Sequence, residues 1–149
     1  MIAFMFLTMA CGSSTGLRVP KDSGPEVLGT VVLQLSAESL DIYDATVGVG
    51  RSGTVVATSA GDADLQLYEV KIVDDPGDQF FMQEFDDTLA LGPAETLDLT
   101  IVATLAAEEP ATCRIRVRSD DPNATEVFIP VNAWPLGWDT SDSGGGAGR

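Results

Sequence analysis

The chain has 149 residues, with 23 acidic against 8 basic side chains, no histidine and a formal net charge of −15. That balance argues against a nucleic-acid-binding role, which needs Lys and Arg in excess to meet phosphates, and the lack of His removes the commonest general base and metal ligand. With 44% hydrophobic residues there is material for one packed core plus tails.

In chain order, residues 1–10 are apolar and uncharged. The run is too short to span a bilayer as a helix but has the length of a signal-peptide apolar region. It ends in Leu7-Thr8-Met9-Ala10-Cys11-Gly12, which resembles a bacterial lipobox, with Thr8 where Leu is usual and no basic residue before the run. Residues 1–10 are accordingly expected to be a signal peptide, and Cys11 to be the lipidated N-terminus of the mature protein. The alternative is a chance apolar beginning. Residues 11–29, rich in Gly, Ser, Pro and charge, read as a polar tether.

From about residue 30 to 134 the hydrophobic period is two, the mark of half-buried strands. Leu97, Leu99 and Ile101 alternate with Asp98 and Thr100; Cys113, Ile115 and Val117 alternate with Arg114, Arg116 and Arg118; Val127 and Ile129 alternate with Glu126 and Phe128. Leu65 and Leu67 share one phase and Val70 and Ile72 the other, so a bulge is expected near Tyr68-Glu69. Turn signals separate the runs: Gly48/Gly50, Gly61-Asp62, Asp75-Pro76-Gly77, Gly92-Pro93 and Asp121-Pro122. Strands at this spacing, without a long amphipathic helix, predict an all-β antiparallel sandwich whose core holds Leu65, Leu67, Leu97, Leu99, Ile101, Ile115, Val117, Val127 and Ile129. Residues 135–149 close the chain as a low-complexity tail.

Five segments carry a resemblance. They are Ser39-Leu40-Asp41-Ile42, Val47-Gly48-Val49-Gly50, Thr58 through Leu65, Leu91-Gly92-Pro93-Ala94-Glu95-Thr96, and Val117-Arg118-Ser119-Asp120-Asp121-Pro122. In this order they resemble the immunoglobulin-like domain of the ASPM/SPD-2/Hydin (ASH) type, over roughly residues 31–133. The resemblance implies an immunoglobulin-like sandwich that makes contacts rather than chemistry. Its turn positions are structural: Gly61, expected at positive φ, with Asp62, Pro93, Asp121 and Pro122. Ala94 stands where the family has Gly, so its turn either does not need positive φ or is strained.

No catalytic constellation is visible. A Ser-His-Asp or Cys-His arrangement is impossible without His, and no segment has the spacing of a calcium loop. The acidic turns at Asp62/Asp64, Asp74/Asp75/Asp78, Asp86/Asp87 and Asp120/Asp121 leave a calcium site as an alternative to plain turn chemistry. Cys113 reads as a small buried core residue. The sharpest surface feature is Arg114, Arg116 and Arg118 on one strand face, with Phe128 on an adjacent polar phase. It reads either as a docking stripe for an acidic partner or as cross-strand pairing with acids such as Asp98. Phe128, Trp134 and Trp138 either form an apolar contact patch or fold over an open end of the sandwich.

These readings combine into a non-catalytic lipoprotein of the bacterial cell envelope, at the outer membrane or cell surface. It presents a protein-interaction or spacer domain, with no metal, no cofactor, no small-molecule substrate and no nucleic acid. The alternatives are an intracellular assembly module of the ciliary or centrosomal kind, and a Ca²⁺-dependent adhesion module.

Overall fold

A computed structural model of the protein describes residues 28–138. The expected signal peptide (residues 1–10), Cys11, most of the expected tether and the expected tail from residue 139 onward lie outside the described residues.

Nine strands make two sheets: β1 Leu33–Leu35, β2 Leu40–Ala45, β3 Arg51–Ser59, β4 Leu65–Val73, β5 Phe80–Met82, β6 Leu89–Leu91, β7 Thr96–Ala103, β8 Ala111–Ser119 and β9 Glu126–Pro135. One sheet has the order β1-β3-β7-β5 and the other β2-β9-β8-β4-β6. The described residues contain no helix. The expected immunoglobulin-like sandwich is what the chain forms.

Alternation sorts the two faces. In β8, Ala111, Cys113, Ile115, Val117 and Ser119 are buried, while Thr112, Arg114 and Arg118 are exposed. Its partner β9 buries Ile129, Val131 and Ala133, and the facing sheet contributes Val55, Ala57, Leu99, Ile101 and Ala103. Each large aliphatic side chain removed from water in this way is worth about 1.5–3 kcal/mol. Of the nine expected core residues, seven are buried, and Leu97 and Val127 are half-buried and packed against the rest.

The bulge lies where the change of phase requires it. Leu67 pairs with Ser119 and Glu69 with Arg118, so Tyr68 has no partner and stands exposed. The extra residue lets Leu67 and Val70 both reach the core.

One ladder is not antiparallel: β2 runs parallel to β9, pairing Leu40 with Val131 and Ile42 with Ala133. The cause is a sheet switch. β1 pairs antiparallel with β3 in one sheet, and the chain then crosses at residues 36–39 into the other sheet without reversing. It therefore meets β9 head to head.

The described chain enters at one end of the sandwich, where Thr30 bonds the 61–63 turn. It leaves at the other, where Pro135 pairs with Ala45 and Leu136 donates to the Ala45 carbonyl.

Candidate functional site

The arginine stripe sits on the outer face of the five-stranded sheet, in a strand flanked on both sides. Arg114 donates from Nε to Asp74 Oδ2 at 2.6 Å, and its guanidinium lies 4.6 Å from the centre of the Phe128 ring. Arg116 Nη2 approaches Glu69 Oε1 to 2.8 Å, and Lys71 reaches Glu69 Oε2 at 2.8 Å. The Arg116 contact is one of charge rather than of aligned hydrogen bonding, because Arg116 Nε and Glu69 Oε1 are buried without a hydrogen-bond partner. Arg118 lies 3.7 Å from Glu126.

The acids that meet the arginines are thus on β4, β9 and the turn after β4. Asp98 is on β7 in the other sheet, so it is not among them. The hydrogen bond from Lys71 and the neighbouring Arg116 charge hold the Glu69 carboxyl below its ordinary range, against a smaller opposing effect of desolvation. Each arginine has a carboxylate within reach, so the face is close to balanced rather than a bare positive strip.

Phe128 and Trp134 point to the same face of β9 but are six residues apart, about 20 Å along a strand. They do not form one patch. Phe128 lies under Arg114, whereas Trp134 donates from Nε1 to Asp41 Oδ1 at 3.0 Å. Trp138 is at the exit end, where its N–H is donated to the Pro135 carbonyl, and like Val47, Val49 and Leu136 it is exposed. There a depression of about 470 Å³ is lined by Thr46, Val47, Ala107, Glu108, Pro135 and Leu136. In the sequence Val47 and Val49 stand out only as part of the Val47-Gly48-Val49-Gly50 segment of the family resemblance. Their exposure follows from the tight Thr46–Val49 bridge, with Gly48 at φ 75°, which carries them past the end of the sheet.

The turn residues hold the frame. Gly61 is not at positive φ; its requirement is space, since a Cβ there would stand 1.8 Å from the Thr30 carbonyl oxygen. Asp62 accepts the Thr30 N–H through Oδ1. After Pro93, Ala94 does adopt φ 70°, so of the two alternatives for this turn the strained one holds. Asp121, which precedes Pro122, is buried and accepts the N–H of Asn123 and, across 88 positions, that of Leu33, each at 2.8 Å.

Four of the turn carboxylates, those of Asp62, Asp75, Asp120 and Asp121, cap backbone N–H groups. Asp75 takes the N–H of Gln79 and of Phe80 at 3.0 and 2.9 Å, and Asp120 takes that of Gln66 at 2.8 Å. Among the described residues no group of three or more Cys, Asp or Glu is placed to hold a metal ion. Cys113 is buried, and burial, with Asp75 and Asp74 adding to it, pushes its thiol up to about 12.

No family model and no curated protein matches the sequence. Solved structures do match in fold. The ASH/PapD-like domain 7 of human CEP192 superposes with a TM-score of 0.54 at 11% identity, covering 84% of this chain and 100% of that one. A Porphyromonas gingivalis protein of unknown function gives 0.58 at 22% identity, covering 70% of this chain and 47% of that one. The CsuC–CsuE chaperone–tip adhesion subunit complex of Acinetobacter baumannii Csu pili gives 0.53 at 12% identity, covering 71% and 53%. The chain spans about half the length of the two bacterial chains. At these identities the likeness speaks for architecture alone. Residues 28–138 have the immunoglobulin-like sandwich of the ASH/PapD-like fold.

Proposed function

We propose that this protein is a non-catalytic lipoprotein of the bacterial cell envelope, anchored through Cys11, which holds a protein-binding sandwich clear of the membrane on the tether of residues 11–29. The observation that carries the reading is the polarity of the domain. The chain enters at the Gly61–Ala63 end, while exposed Val47, Val49, Leu136 and Trp138 lie at the far end, about 30 Å away along a nine-residue strand. A tether on the entry side therefore turns the apolar end outward. Bacterial chaperone structures among the fold relatives fit an envelope location and a protein partner. Arg114, Arg116, Arg118 and Phe128 remain the proposed contact face on the side of the domain. There the Arg114 guanidinium, paired with Asp74, lies over Phe128 and sets polar groups beside a half-exposed aromatic surface.

Fractionation tests the anchor. Cys11→Ser releases the protein from the membrane fraction if acyl chains supply the membrane affinity. An unchanged distribution overturns the lipoprotein reading. A second reading, an intracellular assembly module, is favoured by the full coverage of the human CEP192 domain. It requires residues 1–10 to stay on the mature chain.

A further inference from the structure

β7 is covered on one side only in part. It pairs with β3 along its whole length, from Thr96 opposite Thr58 to Ala103 opposite Arg51. On the other side β5 covers only Ile101 to Ala103. After Met82 the chain abandons that sheet: Phe85 exchanges both backbone hydrogen bonds with Val70 in the opposite sheet, at 2.9 and 3.0 Å.

The direction of the uncovered groups follows from the antiparallel alternation. Ser59 donates to the Glu95 carbonyl at 3.0 Å, and Thr104 donates to the Gln79 carbonyl at 2.7 Å. Odd-numbered residues of β7 therefore turn their main-chain polar groups to β3, and even-numbered ones turn theirs to the β5 side. Thr96 and Asp98 face that side where no strand of the described residues pairs with them.

Directly beside this edge is a groove of about 340 Å³ lined by Phe85, Asp87, Leu89, Leu97, Asp98 and Leu99. Its walls come from both sheets, because Leu89 belongs to the edge strand β6. The site thus offers an unpaired strand edge, room for one or two apolar side chains, and two carboxylates.

We propose that this edge of β7 takes an extended segment of a partner protein as an added strand, with alternate small apolar side chains entering the groove and Lys or Arg at its ends meeting Asp87 and Asp98. The unpaired N–H and C=O groups select an extended backbone. The volume and lining select apolar side chains on alternate positions. The two carboxylates, on a chain of net charge −15, select basic flanks and disfavour a second copy of this chain, which would bring the same acids to the same place. Carboxylates at a sheet edge also guard it against pairing with like-charged chains; a basic partner is the kind they admit. The proposal extends the protein-binding reading above and does not depend on the lipid anchor.

The test uses the ¹⁵N-labelled full chain in detergent, titrated with the blocked peptide Lys-Val-Thr-Val-Thr-Val-Lys up to about 5 mM. The expected result is amide shift changes centred on Thr96, Asp98, Phe85 and Leu89, with at least tenfold slower hydrogen exchange at Asp98. The same peptide with Pro for its central Val loses binding at least tenfold. Asp87→Asn with Asp98→Asn, at surface positions that leave the fold intact by its amide spectrum, weakens the lysine peptide about tenfold and flattens its salt dependence. Absence of shifts at 5 mM overturns the proposal, as do equal binding of the proline peptide and shifts confined to the Arg114–Phe128 face or the Val47–Leu136 end. Concentration-dependent broadening at β7 without peptide assigns the edge to self-association and overturns the choice of partner. Failure of the anchor is read separately, by fractionation.

Discussion

The buried carboxylate of Asp121 accepts the backbone N–H of Leu33 at 2.8 Å through one oxygen and that of Asn123 at 2.8 Å through the other. A turn after β8 is thereby tied to the start of β1, and the first strand is pinned to the opposite sheet. Asp121→Ala leaves the Leu33 N–H without its acceptor and is expected to cost about 2 kcal/mol, with Asp121→Asn costing about half of that. Urea unfolding measures both; a loss under 0.5 kcal/mol for Asp121→Ala contradicts the tie.

Gly61 and Ala94 give opposite expectations for Gly and Ala. Gly61→Ala drives a Cβ into the Thr30 carbonyl and is expected to lose about 3 kcal/mol, since backbone must move. Ala94→Gly relieves a residue held at φ 70° and is expected to gain about 0.5–1 kcal/mol after the entropy of Gly is subtracted. Thermal melts of the two variants moving in the same direction would sink this account of the turns.

The outer face of the five-stranded sheet is tested by replacing Arg114, Arg116 and Arg118 with Gln together. A docking role predicts weaker and less salt-sensitive partner binding with the melting temperature nearly unchanged. A purely structural role predicts lost stability through unpaired Glu69, Asp74 and Glu126. The pH dependence is a second readout. The Glu69 carboxyl is held low by Lys71 and Arg116, so its contribution is complete above pH 4.5 and fades as the pH falls below that. Glu69→Gln should therefore lose less stability on acidification than the parent. Parallel acid profiles would show that the carboxylate is not favoured by its neighbours.

Cys113 has the opposite sign. Its thiol is pushed up to about 12, so it stays protonated in the folded chain, while the unfolded chain ionises above the ordinary 9.0. The stability it contributes is full below pH 9.0 and declines as the pH rises towards 12. Iodoacetamide should label Cys113 only on unfolding, and Cys113→Ala should flatten the alkaline loss. Rapid labelling of the native protein would contradict its burial.

The sandwich was legible because the inner faces of β4, β7, β8 and β9 carry period-two aliphatics, and even the bulge at Tyr68 showed as a change of phase between Leu67 and Val70. Two kinds of fact were not. Pairing partners depend on sheet order, which alternation does not encode. Asp98 was therefore as open a choice of cross-strand acid as any, whereas β8 lies between β4 and β9 and its arginines meet Glu69, Asp74 and Glu126. The reason for a glycine is also hidden: Gly61 in a turn signals positive φ, but the constraint is the Thr30 carbonyl, which lies 31 positions earlier. The half-covered edge of β7 was invisible for the first reason, since β5 is short and its register follows from where the chain leaves the sheet at Gln83.

Whether the sandwich is displayed from a lipid anchor is read from the intact mass of the protein extracted from the membrane fraction of the cells that make it. The expected species begins at Cys11, lacks residues 1–10 and carries the added mass of acyl chains. A soluble chain of unmodified mass that retains residues 1–10 would contradict it.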